Sequence, residues 1–136
     1  MVKLLKAEVH PLNTGLEIIR PKDAFEFEFL FYFLFEDTKN INVQFYFQDE
    51  NEFLIFIGST ALINKVYKAS KGYFKAKCRI PDNFMNSGKF TISRLLVMEG
   101  KKNVLYEHTD LLTFEICDSV KDKTRRIGKI DGLLKP

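Results

Sequence analysis

Three side-chain amides and one phenol fall at alternate positions of one short segment: Asn42, Gln44, Tyr46 and Gln48. In an extended chain successive side chains point to opposite faces, so these four would form one row, backed by Val43, Phe45 and Phe47. Planar amides answer sugar hydroxyls with a donor and an acceptor together, and an aromatic face packs against a pyranose ring. A neutral row of this kind suits a polysaccharide. It would also serve any strand that faces solvent. A second set, Tyr73, Lys75, Lys77 and Arg79, repeats the spacing with positive charge and would suit an anionic polymer.

Other chemistry is sparse. His10 and His108 stand far apart, without partners at metal-ligand spacing. His108-Thr109-Asp110 reads as a tight connection between two strands, with Asp110 capping a turn beside an exposed histidine; a pH-sensing loop is the alternative. Gly88-Lys89 lacks the upstream glycine and the following Ser or Thr of a phosphate-binding loop, and it opens a strand rather than a helix. No Gly-x-Ser-x-Gly elbow or Cys/His pairing is present. The sequence therefore predicts no enzyme, no cofactor, no metal and no catalytic residue. Cys78 shares parity with Phe74, Ala76 and Ile80 and should be buried, whereas Cys117 should face out, so two free thiols are expected.

The frame that must carry these side chains is set by residues 24–35, AFEFEFLFYFLF, in which every odd position from Phe25 to Phe35 is phenylalanine. Only a strand gathers alternate positions on one side; a helix scatters them. Strand-like stretches with turn chemistry between them cover Leu4–His10, Asn42–Gln48, Phe53–Ile57, Gly72–Ile80, Lys89–Met98, Val104–Glu107 and Leu111–Cys117, with a short extended piece at Leu16–Ile19. Residues 58–71 read as a long crossing connection with one helical turn at Ala61–Tyr67. Within Lys89–Met98 the apolar parity slips between Phe90/Ile92 and Leu95/Val97, which predicts a bulge near Ser93-Arg94. The fold class is all-β: an antiparallel immunoglobulin-like or jelly-roll β-sandwich of about eight strands.

One domain is expected over 1–118, followed by a basic extension over 119–136. Residues 121–136 carry six basic and two acidic side chains, while the whole chain is only +3, so the rest is slightly acidic. The body is thus no ordinary nucleic-acid surface. No apolar run approaches the roughly 20 residues that span a bilayer, and no secretory leader is visible, which predicts a cytoplasmic protein.

A stretch beyond the amide row narrows the function. Ile80-Pro81 ends a strand, Asp82-Asn83 turns the chain, Phe84-Met85 is placed to plug the sandwich end, and Gly88 with Phe90 opens the next strand. This resembles the C-terminal carbohydrate-binding domain of the ATP-binding subunit (Wzt) of O-antigen polysaccharide ABC transporters. Further points of similarity are Asp110 with Phe114-Glu115-Ile116, the stretch from Gly128 through Gly132 to Pro136, and Ile18-Ile19 ahead of a long apolar strand. The resemblance implies a non-catalytic module that recognises an O-antigen-type glycan at the inner face of the membrane and works with the ATPase and membrane subunits of an exporter. The family's ATPase portion has no counterpart here.

Immunoglobulin-like order would pair Asn42–Gln48 with Lys89–Met98. Thr91 and Ser93 would then lie beside the amide row, and Arg94 would join them if the bulge turns it outward. The expected carbohydrate-binding set is therefore Asn42, Gln44, Tyr46, Gln48, Thr91, Ser93 and Arg94. On the opposite side of the Phe strand, Leu30, Tyr32 and Leu34 would expose a contiguous apolar group, the mark of an interface. The resemblance implies a homodimer to whose contact the extension over 119–136 contributes, and these three residues are the expected contact on the sandwich. An immunoglobulin-like dimerisation domain without sugar binding is the alternative function.

Overall fold

Alternating phenylalanines make the expected strand, and the rest of the molecule is arranged around it. A computed structural model describes residues 2–12, 14–34, 41–59, 66–70, 72–118 and 129–131. The strands are β1 (Val2–Pro11), β2 (Phe25–Phe33), β3 (Ile41–Asp49), β4 (Leu54–Ser59), β5 (Val66–Ser70), β6 (Tyr73–Ile80), β7 (Gly88–Glu99), β8 (Asn103–Ile116) and β9 (Lys129–Asp131). Seven carry described side chains; β5 and β9 are described by their backbone. There is no helix among the described residues, and so none long and apolar enough to cross a membrane.

Two antiparallel sheets stack face to face, with strand orders β5-β6-β2-β1-β9 and β4-β3-β7-β8. The first, second, sixth and fifth strands in one sheet against the fourth, third, seventh and eighth in the other is the immunoglobulin-like arrangement. The core lies between them. Phe25, Phe27, Phe29, Phe31 and Phe33 are all buried, and Phe27 meets rings of the other sheet at centroid distances of 5.2 Å (Phe45), 5.5 Å (Phe47) and 5.6 Å (Phe114). Offset and edge-on contacts at these separations add to the area buried. Phe35 lies outside the described residues. Gly58 on β4 makes room for this packing, since a Cβ there would stand 2.3 Å from the Phe45 ring.

The start of β2 is held by a short clasp. Arg20 donates from Nε and from its backbone N–H to Asp23 Oδ2, both at 2.9 Å. Burial pushes the Asp23 carboxyl up, but the bonds from Arg20 outweigh it and hold the group below its ordinary value.

Several expectations are corrected. Val66–Ser70, which overlaps the expected helical turn, is a strand; an open stretch of β6 offers it a ladder, and it pairs Val66 with Ala76. Residues 60–65 lie outside the described residues. Leu16–Ile19 forms no strand, only a single parallel bridge from Ile19 to Ile116. His108-Thr109-Asp110 is no connection: β8 runs through it, with Asp110 at φ 49°, where Asp110 and Leu111 together stand opposite the single Ser93 of β7. Cys117 is buried rather than outward, and Cys78 is only half-buried. Cys117 follows the end of β8, where its N–H donates to the Ile19 carbonyl at 2.8 Å and draws it under that segment. Phe84 does not plug the sandwich end; it is 56% exposed, and Met85 packs on the core instead.

Candidate functional site

The amide row stands on the outer face of the four-stranded sheet, and register decides its neighbours. Ladder pairs between β3 and β7 set Tyr46 against Arg94, Gln44 against Leu96 and Gln48 against Thr91. On the other flank β4 sets Ile57 against Tyr46, Ser59 against Gln44 and Leu54 against Gln48. The predicted bulge is present. Both ladders of β7 slip between Ile92 and Arg94: against β3 Ser93 is the extra residue, whereas against β8 Ser93 stands opposite two residues, Asp110 and Leu111. That one-residue slip turns Arg94 to the outer face, while Leu95 and Val97 turn into the core.

Tyr46 is the centre of the face. The Arg94 guanidinium carbon lies 5.5 Å from its ring centroid, within cation–π range. Arg94 Nε donates to Glu107 Oε2 at 2.6 Å. That bond and the Glu107 charge hold the guanidinium protonated above its ordinary range. Arg94 thus lies over the phenol ring, and Ile57 is its ladder neighbour on the other flank. Ile57 is 40% exposed and Leu54 52%, so the amides are interleaved with apolar surface that can receive the C–H face of a sugar.

The other expected residues are brought to the same face in different states. Asn42 donates its amide to the Gly100 carbonyl at 3.0 Å, across to the β7–β8 turn. Gln44 approaches the Asn42 amide oxygen at 3.5 Å. Thr91 shares a hydroxyl contact with Thr113 at 3.1 Å, and the Ser93 hydroxyl lies 3.5 Å from the Tyr46 carbonyl. Gln48 makes no side-chain hydrogen bond among the described residues. Sequence reasoning missed Ile57, Leu54, Glu107 and Thr113. Register counted back from the Gly100-Lys101-Lys102-Asn103 turn points toward Glu107, but only through the further slip between Val97 and Met98.

The outer face of the five-stranded sheet holds the competing sets. Lys75 and Lys77 each lie 3.7 Å from Glu28, and Lys77 lies 3.9 Å from Glu26. Leu30 sits between Lys6 and Lys75 in the ladders. Tyr32 meets Tyr73 edge-on at 5.0 Å, and Leu34, just past β2, is 51% exposed. Among the described residues no group of three or more His, Cys, Asp or Glu side chains could hold a metal ion. No protein-family model and no curated protein matches this chain.

Proposed function

We propose that this domain is a non-catalytic recognition module for a neutral polysaccharide of O-antigen type, acting in the cytoplasm beside an ABC transporter that exports lipid-linked glycans. The observation that carries the reading is Tyr46, held by Arg94 at the centre of an outer sheet face where the Arg94 charge is answered by Glu107 and the row beside Tyr46 is of amides and hydroxyls. The likeness to the exporter domain, over the Ile80-Pro81 to Phe90 stretch, supports the choice of glycan class. In this reading a sugar ring packs on the Tyr46 face beside Ile57, and Gln44 and Gln48 bond its hydroxyls. The ATPase and membrane subunits of such an exporter are the partners it implies.

The test is a titration of the chain with polysaccharide extracted from the source cell. Tyr46→Ala should weaken binding at least tenfold, about 1.4 kcal/mol, with the melting transition largely unchanged because the ring is on the outer face. Gln44→Ala and Gln48→Ala should each cost less, since water partly replaces an amide bond. Binding that survives Tyr46→Ala but is lost on Lys77→Ala would move the site to the other sheet. A second reading, self-association, draws on the exposure of Leu34. It expects a dimer at micromolar concentration that Leu30→Asp with Leu34→Asp converts to a monomer in sedimentation.

A further inference from the structure

β5 covers only part of its neighbour. Its ladder reaches β6 from Tyr73 to Ala76, so Lys77–Ile80 have no strand on that side among the described residues. β4 is likewise the edge of the opposing sheet. Between these two edges lies a groove of about 530 Å³, within the range of small-molecule sites.

Its walls are apolar and its lip is charged. Phe56 and Ile57 of β4, Cys78 and Ile80 of β6, and the exposed Phe84 line the groove. Phe84 is the most exposed of the lining aromatic rings, at 56%. Three charged residues are among the lining: Glu26, Lys77 and Arg79. Lys77 is shared between Glu26 and Glu28, whereas Arg79 has no ion pair among the described residues. Arg79 stands opposite Glu26 in the ladder, but Glu26 lies near Lys77 and His10 and makes no ion pair with it. Among the described residues the groove therefore carries one guanidinium without an ion pair beside an apolar hollow. Such a pairing fits a slender apolar body that ends in an anion, because the chain fills the hollow while the planar fork of the arginine takes the head.

We infer that the groove between β4 and the unpaired half of β6 binds a single-chain anionic amphiphile, its chain against Phe56, Ile80 and Phe84 and its headgroup on Arg79. The groove shares only Ile57 with the surface around Tyr46, and the inference goes beyond the glycan reading and stands apart from it. The thiol of Cys78 is a wall here rather than a reactive group, since burial, with the nearby Glu26 charge, pushes it up to about 11.

The experiment is a calorimetric titration of the full chain with n-decyl phosphate below its micelle concentration, alongside decyltrimethylammonium and decyl maltoside. Decyl phosphate should bind one to one and about tenfold tighter than the cationic chain. Arg79→Gln should weaken decyl phosphate about fivefold and leave decyl maltoside unchanged. Phe84→Asp should weaken all three. Both positions are exposed, so thermal melts should match the parent, and Ile57→Asp provides a second block of the mouth if Phe84→Asp does not. Absence of saturable decyl phosphate binding overturns the inference. So does equal affinity for anionic and cationic chains, or binding that ignores Arg79→Gln and both mouth substitutions. The Arg79→Gln and Phe84→Asp outcomes do not touch the polysaccharide titration, which reads Tyr46; Ile57→Asp, at the residue both surfaces share, is read with decyl phosphate alone.

Discussion

The two outer faces of the sandwich are polar in opposite ways. On the five-stranded sheet the polarity is charge, and the charges answer one another: Lys6 with Glu8 at 3.4 Å, His10 beside Glu8 and Glu26, and Lys75 and Lys77 around Glu28. Glu28 is 9% exposed at the middle of that network. On the four-stranded sheet the polar groups are mostly neutral, and outer-facing Leu96 and Met98 lie buried among them. Charges matched internally, as these are around Glu8 and Glu28, have little left to offer a partner; Arg79, at the margin of the same sheet, is the exception. Amides and a phenol set in apolar surface gain most when another molecule supplies their hydrogen bonds and covers the hydrocarbon. Cross-strand pairing explains both cases, because each face is assembled from the same ladder geometry with different side chains.

The comparison can be broken most severely at Ser93. Deleting it would remove the bulge against β3, widen the mismatch with β8, and swing Leu95 and Val97 outward while carrying Arg94 into the core. The expected outcome is loss of the cooperative unfolding transition, followed by circular dichroism. Ser93→Ala should leave that transition near its original temperature. Next in size, Glu28→Ala should destabilise by about 1 kcal/mol in urea unfolding, a modest figure because both lysine partners are about one-third exposed. The same variant should leave polysaccharide affinity unchanged; a tenfold loss would show that the charged face takes part. Salt separates the faces further. Raising ionic strength to about 0.5 M should erase most of the Glu28→Ala difference yet shift glycan affinity less than about twofold, since neutral contacts are not screened. Smallest is Thr113→Val, which removes one hydroxyl from the Thr91 pair and should change stability by less than about 0.5 kcal/mol.

Much of this was legible in the sequence. The alternating phenylalanines from Phe25 to Phe33 dictate β2, the Asn42–Gln48 alternation dictates β3, and the parity slip near Ser93-Arg94 is enough to place the bulge. Those signals survive because period-two patterning is local and strong. What could not be read depends on distant chain. Val66–Ser70 becomes a strand because β6 has an open flank there, a fact its own residues do not encode. Cys117 is buried by a bond to Ile19, nearly a hundred positions away. Asp110 in a left-handed conformation lets β8 absorb a register jump that looks, from the sequence, like a turn. At the candidate site the row itself was visible. The use of Asn42 to hold the Gly100 turn was not, because it needs the hairpin in place.

The ladder that joins residues 6–8 of β1 to residues 129–131 of β9 has a consequence for synthesis. Chains emerge from the ribosome at a limited rate and fold as they go. While residues up to 128 are appearing, β1 can already pair with β2, but its other flank is an open row of amides, the kind of edge that recruits foreign strands. Lys6, Glu8 and His10 line the outer side of that flank. Their charges act as gatekeepers for a nascent chain, discouraging neighbours on the same polysome until Lys129–Asp131 clear the exit tunnel and close the edge.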